Sequence, residues 1–323
     1  MKRETLALHH GYAPDDQHSV AVPIHQTTSF SFDDAQHAAD LFDLKVEGNI
    51  YSRIMNPTCA VLENRVAALE GGIAGLAVAS GMAAITYTIQ TLAESGDNIV
   101  SISELYGGTY NLFAHTLPRQ GIEVRFADKD DLAGIADRID ERTKAVFCES
   151  IGNPSGSVVD IAALAQVAHD NGAPLIVDNT VATPFLWRPI EHGADIVVHS
   201  ATKYIGGHGT TVGGVIVDSG RFPWASHAER FALLNEPDPS YHGISYTRDV
   251  GDAAFIARAR VVPLRNMGAA LSAQAAWNLL QGLETLALRI ERICANTQAI
   301  AEYLEGHEAV SWVKYAGLSH HKD

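Results

Sequence analysis

Residues 174–204 read PLIVDNTVATPFLWRPIEHGADIVVHSATKY and contain two short apolar runs, each followed directly by polar residues. The first run, Pro174–Asp178, ends in a carboxylate, and the second, Asp195–His199, leads into a hydroxyl-rich segment that contains Lys203. Short apolar runs separated by enough chain for a crossover are typical of buried parallel strands. Because ligands bind at the carboxyl ends of such strands, this stretch places Asp178 and Lys203 at one edge of a sheet.

The same alternation of apolar runs and helical segments extends over most of the chain. Together with the two runs above, it gives seven candidate strands: Gly75–Ala79, Asn98–Ile102, Glu123–Ala127, Lys144–Glu149, Pro174–Asp178, Asp195–His199 and Gly213–Asp218. This rhythm is typical of a mainly parallel sheet with helices on both faces. The connection before the last strand is too short for a crossover, so we expect that strand to run antiparallel. The predicted fold class is therefore α/β, with a seven-stranded, mainly parallel sheet.

Composition and periodicity divide the chain into three parts. Residues 1–55 have no sustained period and are expected to form an N-terminal arm. Residues 56–250 are predicted to form the ligand-binding α/β domain, which begins with a helix capped by Asn56-Pro57. Residues 251–323 contain a long helical pattern and one strand-like run, Val310–Tyr315, which cannot cover both of its own edges. We therefore expect an incomplete, truncated C-terminal α/β domain.

Charge and cysteine content exclude several classes of function. The formal net charge is -15, which argues against a nucleic-acid surface, because phosphate backbones require clustered cations. The three cysteines, Cys59, Cys148 and Cys294, have no zinc or disulfide spacing and favour a reducing, cytoplasmic location. No secretory signal, membrane-spanning run or metal signature is recognisable, so we expect neither a membrane nor a metal as a partner.

An anion site is predicted where the first candidate strand ends. Ser80-Gly81-Met82 follow that strand and open a helix, so their free backbone N–H groups and the helix dipole favour a negative charge. The alternative is an ordinary helix cap, since serine is a favoured capping residue.

Two further residues have equally plain alternatives when each is taken alone. Asp178 could simply cap the turn that follows its strand, and Lys203 could be a loop lysine without a specific contact. Together with the anion site, however, they satisfy the needs of pyridoxal phosphate, which requires an amine, a carboxylate and a phosphate pocket. Lys203 would form the Schiff base, and Asp178 would keep the pyridine nitrogen protonated. The phosphate would meet the amides of Gly81 and Met82 and the hydroxyls of Ser200 and Thr202.

Several short motifs occur along the chain in one order. They are YSR (51–53), NPT (56–58), SGM (80–82), LYGGT (105–109), ESIGNP (149–154), DNTVATP (178–184), SATKY (200–204) and GGHG (206–209). In this order they resemble the cysteine and methionine metabolism family of pyridoxal-phosphate enzymes of fold type I. The resemblance covers about residues 5 to 317 and implies the transferase fold of that family.

The resemblance also implies roles that the residues alone do not reveal. Tyr106 would stack on the cofactor ring, and Asn153 would donate to the ring oxygen O3′; a core tyrosine and a turn asparagine are the alternatives. Tyr51 and Arg53 would reach the cofactor phosphate of a neighbouring subunit. Lys203, Tyr106 and Tyr51 would be the catalytic residues. The protein would then be a homo-oligomer, a tetramer of catalytic dimers.

Within the family, the segment NEPDPSYHG (235–243), with QGLETL (281–286) behind it, resembles the O-acetylhomoserine sulfhydrylase branch. Gly108 stands where methionine γ-lyases usually carry cysteine, which counts against a lyase. This branch implies an amino-acid substrate and sulfide, with replacement of acetate to give homocysteine for methionine and cysteine biosynthesis. Methionine γ-lyase and cystathionine γ-synthase activity stay open. So does a catalytically impaired pyridoxal-binding fragment, because the family's substrate-carboxylate arginine would lie beyond residue 323 and no arginine here matches it.

The glycines near Lys203 suggest one other class of protein. Gly207 and Gly209, with Gly213, mimic the spaced glycines of a dinucleotide site. That fingerprint must open a helix, whereas here it leads into the candidate strand Gly213–Asp218. We therefore reject a dinucleotide site.

Overall fold

One seven-stranded sheet forms the centre of the computed structural model, which describes residues 1–43, 45–46 and 48–321. The strands are β1 (Ala74–Val78), β2 (Asn98–Ile102), β3 (Glu123–Ala127), β4 (Thr143–Glu149), β5 (Leu175–Asp178), β6 (Ile196–His199) and β7 (Gly214–Asp218). Their spatial order is β1-β7-β6-β5-β4-β2-β3. Strands β2 to β6 pair in parallel, and β7 runs antiparallel to both β1 and β6. All seven predicted strands and the reversed direction of the last one are confirmed.

The sheet is apolar on both faces because helices cover both of them. All residues of β2, β6 and β7 are buried. Successive side chains of a strand point to opposite faces, so Val197 belongs to one hydrophobic cluster while Ile196 and Val198 belong to the other. This two-sided burial explains why the strands are continuous apolar runs and not alternating ones.

Helices fill the connections and most of the chain after β7. They are α1 (Arg3–His9), α2 (Ala35–Phe42), α3 (Pro57–Glu70), α4 (Gly81–Leu92), α5 (Gly107–Asn111), α6 (Leu132–Ala136), α7 (Ile161–Asp170), α8 (Thr183–Leu186), α9 (Ala232–Asn235), α10 (Tyr246–Asp249), α11 (Ala254–Ala259), α12 (Arg265–Met267), α13 (Ala273–Glu284) and α14 (Leu286–Glu305). Short 3₁₀ and π turns occupy Leu117–Gln120, Pro189–His192, Trp224–His227, Gly251–Ala253, Leu112–Thr116 and Arg260–Leu264. Over the described residues, no helix combines the length and apolarity needed to cross a membrane.

Helix α3 begins and ends as its sequence predicts. The Asn56 side chain accepts the N–H of Thr58, and Pro57 occupies the first turn, where its missing N–H costs nothing. Gly71 closes the helix at φ 82°, in the left-handed region that glycine adopts without strain.

The predicted N-terminal arm contains structure that its sequence does not reveal. It includes α1, α2 and an isolated bridge between Ser29 and Tyr51. Arg65, buried on α3, donates to the carbonyls of Ala7 and His10 and so ties α1 to the main core.

The predicted strand at Val310–Tyr315 is wrong. None of these residues has strand structure, and no strand follows β7 within residues 219–321. The Val310 N–H instead donates back to the carbonyl of His307, and Trp312 is 77% exposed. A run of β-branched and aromatic residues forms a strand only where a neighbouring strand receives its backbone groups, and here none is adjacent.

Candidate active site

A cavity of about 1050 Å³ opens where β4, β5 and β6 end. It brings together most of the residues predicted as a site, namely Ser80, Gly81, Met82, Tyr106, Asn153, Asp178, Ser200, Thr202 and Lys203. The parallel direction of β4 to β6 is the physical reason, because their carboxyl ends meet at one edge of the sheet.

Asp178 ends β5 with its carboxylate held at one oxygen only. The N–H and the hydroxyl of Thr180 both donate to Oδ1, at 2.9 and 2.5 Å. Within the described chain, no group bonds Oδ2, so this oxygen is free to accept from a ligand in the cavity. Burial raises the pKa of Asp178, and the two bonds from Thr180 only partly offset that effect.

The start of α4 forms a narrow cradle against the residues that follow β6. Ser80 caps the helix by accepting the N–H of Ala83 at 3.1 Å, so the Gly81 and Met82 amides lie in the first turn, where helix N–H groups lack intrahelical partners. A side chain on Gly81 would place its Cβ 2.6 Å from Cβ of Ser200, closer than real atoms approach. Only glycine therefore lets the helix terminus lie beside Ser200, and the concave amide surface fits a phosphate.

The predicted hydroxyl donors of the phosphate pocket differ in their bonding. The hydroxyl of Thr202 donates to the carbonyl of Gly213 at 3.1 Å and accepts the N–H of the same residue at 3.0 Å. Its single proton therefore braces the loop between β6 and β7. The hydroxyl of Ser200 has no bond to another described residue and is the freer donor.

Lys203 follows β6 and presents an exposed side chain to the cavity. Among the described residues, its Nζ has neither a hydrogen bond nor an ion pair. Arg289 on α14 braces the turn behind it, donating to the carbonyls of Tyr204 at 2.7 Å and Gly282 at 2.5 Å. Gly207 lies at φ 70°, and a Cβ there would be 2.3 Å from Nη1 of Arg289. The amine is thus free while its backbone is held.

Glu149, at the end of β4, is a site residue to which the sequence assigned no role. Glu149 is 5% exposed and lies beside Asp178 in the sheet register. Its carboxylate accepts the N–H of Tyr106 at 2.6 Å and that of Asn153 at 3.2 Å. Burial and the charge of Asp178 raise the pKa of Glu149 to about 7, although the two N–H bonds oppose this. A carboxylate that ends a buried strand next to the strand of Asp178 was the signal that could have found it.

Comparison with known proteins identifies the family of this chain. The family described as Cys/Met metabolism PLP-dependent enzyme matches residues 4–323. The chain belongs to this family. Its members use pyridoxal phosphate, and the free amine of Lys203, the open oxygen of Asp178 and the Gly81 cradle fit that cofactor.

Individual relatives within the Cys/Met metabolism family are similar over nearly the whole chain. The homocysteine synthase of Schizosaccharomyces pombe is 54% identical over 98% of this chain, and the O-acetyl-L-homoserine sulfhydrylase of Leptospira meyeri is 49% identical over 100%. The chain spans 75% and 74% of their respective lengths. A solved structure of a putative O-acetylhomoserine (thiol)-lyase from Campylobacter jejuni carries a pyridoxyl-lysine monophosphate. It is 45% identical to this chain with a TM-score of 0.96, and the match covers 100% of this chain and 78% of that protein's chain.

Tyr51 and Arg53 are the two predicted site residues that do not line the cavity of their own subunit. Both are exposed, and the Arg53 guanidinium lies over the Tyr51 ring, 5.0 Å from its centroid. The resemblance predicted a role for them in a neighbouring subunit's site. Their position on an exposed segment is compatible with that prediction, which stays a prediction.

Proposed function

We propose that the protein catalyses γ-replacement on O-acetylhomoserine, in which sulfide displaces acetate to give homocysteine. In balanced form, the Cγ–O bond breaks, a Cγ–S bond forms, and hydrosulfide retains its proton as the product thiol. The observation that carries the proposal is the cavity at the carboxyl edge of the sheet, where Lys203, Asp178 and Gly81 converge. The names of the two relatives, homocysteine synthase and O-acetyl-L-homoserine sulfhydrylase, supply the substrate class.

Each part of the cavity has a distinct task in this reaction. When bound, pyridoxal phosphate supplies an electron sink conjugated to the substrate Cα. Lys203 would hold the cofactor, and its amine would be placed to take up the Cα proton and to move the protons that activate Cγ. Asp178 would accept the N–H of the cofactor ring at its open Oδ2. The amides of Gly81 and Met82 would bind the phosphate.

The aromatic side of the cavity supports replacement over simple elimination. A Cβ on Gly108 would lie 2.6 Å from Cε1 of Tyr106 and 3.3 Å from Sδ of Met82. Glycine at this position therefore lets the Tyr106 ring lie close to α5, and it places no thiol next to that ring. Replacement requires the activated substrate to persist until sulfide arrives, so the pocket must limit water and competing proton donors.

Product analysis under matched conditions tests the proposed reaction. Homocysteine from O-acetylhomoserine and sulfide is compared with 2-oxobutanoate from methionine. We expect homocysteine to dominate, and to depend on added sulfide. If 2-oxobutanoate from methionine dominates, the proposal is wrong and the protein is a γ-lyase.

We further propose that the site is shared between subunits, with Tyr51 and Arg53 reaching a partner's phosphate in a dimer within a tetramer. A guanidinium forms strong charge-assisted bonds to phosphate, and the Arg53 guanidinium has no acidic partner among the described residues. Two variants test this together. Arg53→Ala and Lys203→Ala should each be inactive as pure proteins.

Mixing those two variants is the decisive step. In a mixed dimer, the site that keeps Lys203 receives its Arg53 from the other subunit and becomes intact. Activity should therefore reappear on subunit exchange. No recovery, with exchange confirmed by mass spectrometry, or a fully active monomer in light scattering, would contradict a shared site.

We also propose a cytoplasmic location, which the three unpaired cysteines support. Cell fractionation with an activity assay tests it. Recovery of the protein outside the cytoplasmic fraction would contradict it.

A further inference from the structure

A single buried carboxylate joins the two loops that border the cofactor cavity. Oε1 of Glu149 accepts the N–H of Tyr106, and Oε2 accepts the N–H of Asn153. Tyr106 precedes α5, and Asn153 lies four residues beyond Glu149 in the loop that follows β4. Tyr106 lies 43 positions before Glu149 and Asn153 four positions after it, so the carboxylate is a direct link between two loops that are distant in sequence.

Both bonds depend on the carboxylate offering two acceptors at once. A glutamine at this position would present one oxygen and one NH₂ group, which cannot accept from a second N–H. One of the two loops would then face a donor and lose its anchor. Helix α5 does not replace this contact, because it engages the Tyr106 carbonyl, which accepts the N–H of Tyr110, and not the Tyr106 N–H that Glu149 binds.

We infer that Glu149 is a positioning residue that sets the mutual placement of Tyr106 and Asn153 around the cofactor ring. The inference rests on the proposed cofactor contacts of those two residues, and so on the proposed function. Glu149 acts through them and does not itself need to touch the cofactor.

Holding a charge on the buried Glu149 costs free energy, and this helps to distinguish a positioning role from a merely structural one. Burial and the adjacent Asp178 both disfavour a charge at Glu149, and they raise its pKa to about 7. The other titratable residues that line the same cavity are Tyr106, Lys203, Tyr204, Arg289 and Arg292. A neutral glutamine removes this cost of burying a charge but loses one hydrogen bond, so the two effects on thermal stability oppose each other. If the role of Glu149 were only structural, Glu149→Gln would leave cofactor binding unchanged.

Asp218 provides a matched control at the opposite end of the strands. Asp218 ends β7, is also buried with a pKa raised to about 7, and accepts the N–H of Gly220 at 2.9 Å. Because β7 runs antiparallel, Asp218 pairs with Ile196 at the start of β6, far from the end that leads to Lys203. Asp218→Asn therefore removes a comparable charge without touching the cavity.

The experiment measures cofactor binding and the orientation of the cofactor ring, and not catalytic turnover. Apo forms of the wild type, Glu149→Gln, Glu149→Asp and Asp218→Asn are titrated with pyridoxal phosphate, and visible circular dichroism of the loaded proteins reports how the ring is held. For Glu149→Gln we expect about a tenfold rise in cofactor Kd, the equivalent of one lost hydrogen bond to a charged acceptor, and a clearly weaker dichroic band. Glu149→Asp keeps both acceptors on a shorter stem and should lie in between. Asp218→Asn should match the wild type in both.

Two results would overturn the positioning role of Glu149. A Glu149→Gln protein with wild-type Kd and dichroism overturns the inference, and so does an equal change in Asp218→Asn. If Glu149→Gln does not fold, the same two readouts on Glu149→Asp decide. No substrate is present, so failure here is distinct from failure of the sulfhydrylase proposal, which the product analysis tests separately.

Discussion

Replacing Arg289 by methionine removes the guanidinium that braces the turn after Lys203, while keeping much of the apolar stem. Arg289 donates to the carbonyls of Tyr204 and Gly282, to Oγ1 of Thr285 at 3.2 Å and, at 3.4 Å, to the carbonyl of Ile205. Burial lowers the pKa of Arg289, and no carboxylate in the described chain forms an ion pair with it. Its charge is therefore stabilised mainly by these neutral acceptors.

The expected loss of stability in Arg289→Met follows from these hydrogen bonds. A hydrogen bond to a charged donor contributes roughly 1.5–3 kcal/mol when buried, but Arg289 is only half-buried and water replaces part of what is lost. Counting about 1 kcal/mol for each of the three shorter bonds, and neglecting the 3.4 Å bond to Ile205, gives about 3 kcal/mol. At roughly 2 cal/mol/K of unfolding entropy per residue, a chain of 323 residues loses about 4 °C in Tm.

Scanning calorimetry of the cofactor-free protein measures this shift, and Arg292→Met is the matched control. Arg292 lies one turn further along α14, lines the same cavity, and makes no hydrogen bond or ion pair with the rest of the described chain. Its replacement should change Tm by less than about 1 °C, as for most exposed substitutions. If Arg289→Met and Arg292→Met melt within 1 °C of each other, the bracing role assigned to Arg289 is wrong.

Four further predictions concern the cavity and the sheet. Lys203→Ala should lose the visible band of the lysine-bound cofactor but keep its Tm within about 1 °C, because Nζ has no partner in the described chain; an unchanged band refutes the assignment. Asp178→Asn should still bind cofactor yet lose at least about 100-fold in kcat, since an amide cannot hold a charged ring N–H as well; near-normal turnover would show that the ring nitrogen lies elsewhere. Gly81→Ala should raise cofactor Kd at least about tenfold, since its Cβ meets Ser200 at 2.6 Å, and equal titration curves would contradict the cradle. The pKa of Asp218 is raised from 3.8 to about 7, so the folded state holds its proton longer than the unfolded state and stability falls as pH rises across that window. Of about 4 kcal/mol lost over the whole window, about 3 kcal/mol falls between pH 5 and pH 8; Asp218→Asn should abolish it, so urea melts at these two pH values should differ less than for the wild type.

The strands were predictable because burial on both faces leaves a direct mark in the sequence. The reversed direction of β7 was equally visible, since the short connection before it cannot hold a crossover. The strand prediction at Val310–Tyr315 was wrong for the opposite reason. Local β propensity was present there, but a strand also needs a partner, and the sequence alone does not say what lies beside it.

The missed site residues share a physical property. Glu149 and Arg289 act on backbone groups of loops that are distant in sequence, and Arg289 reaches the carbonyl of Tyr204 across 85 positions. Backbone N–H and C=O groups are common to all residues, so no residue type marks them as targets. Lys203 and Asp178 were easier to find, because the chemistry of a cofactor demands their particular side chains.

Strand β1 lies at the edge of the sheet, where its one partner strand is β7 and an isolated bridge joins Val78 to Ala270, and this position has a consequence for how the nascent chain folds. Strand β1 ends at Val78 and β7 begins at Gly214, so 135 residues are synthesised in between. At 5–20 residues per second, translation takes roughly 7 to 27 s to cover that interval. Throughout it, the apolar side chains of Leu76 and Val78 lack their eventual neighbour, as expected for non-local pairing that delays folding. Ribosome-bound chains halted before residue 214 should therefore be cut readily by protease near β1, and chains halted well beyond residue 218 should resist; equal cleavage of both would show that β1 finds protection earlier.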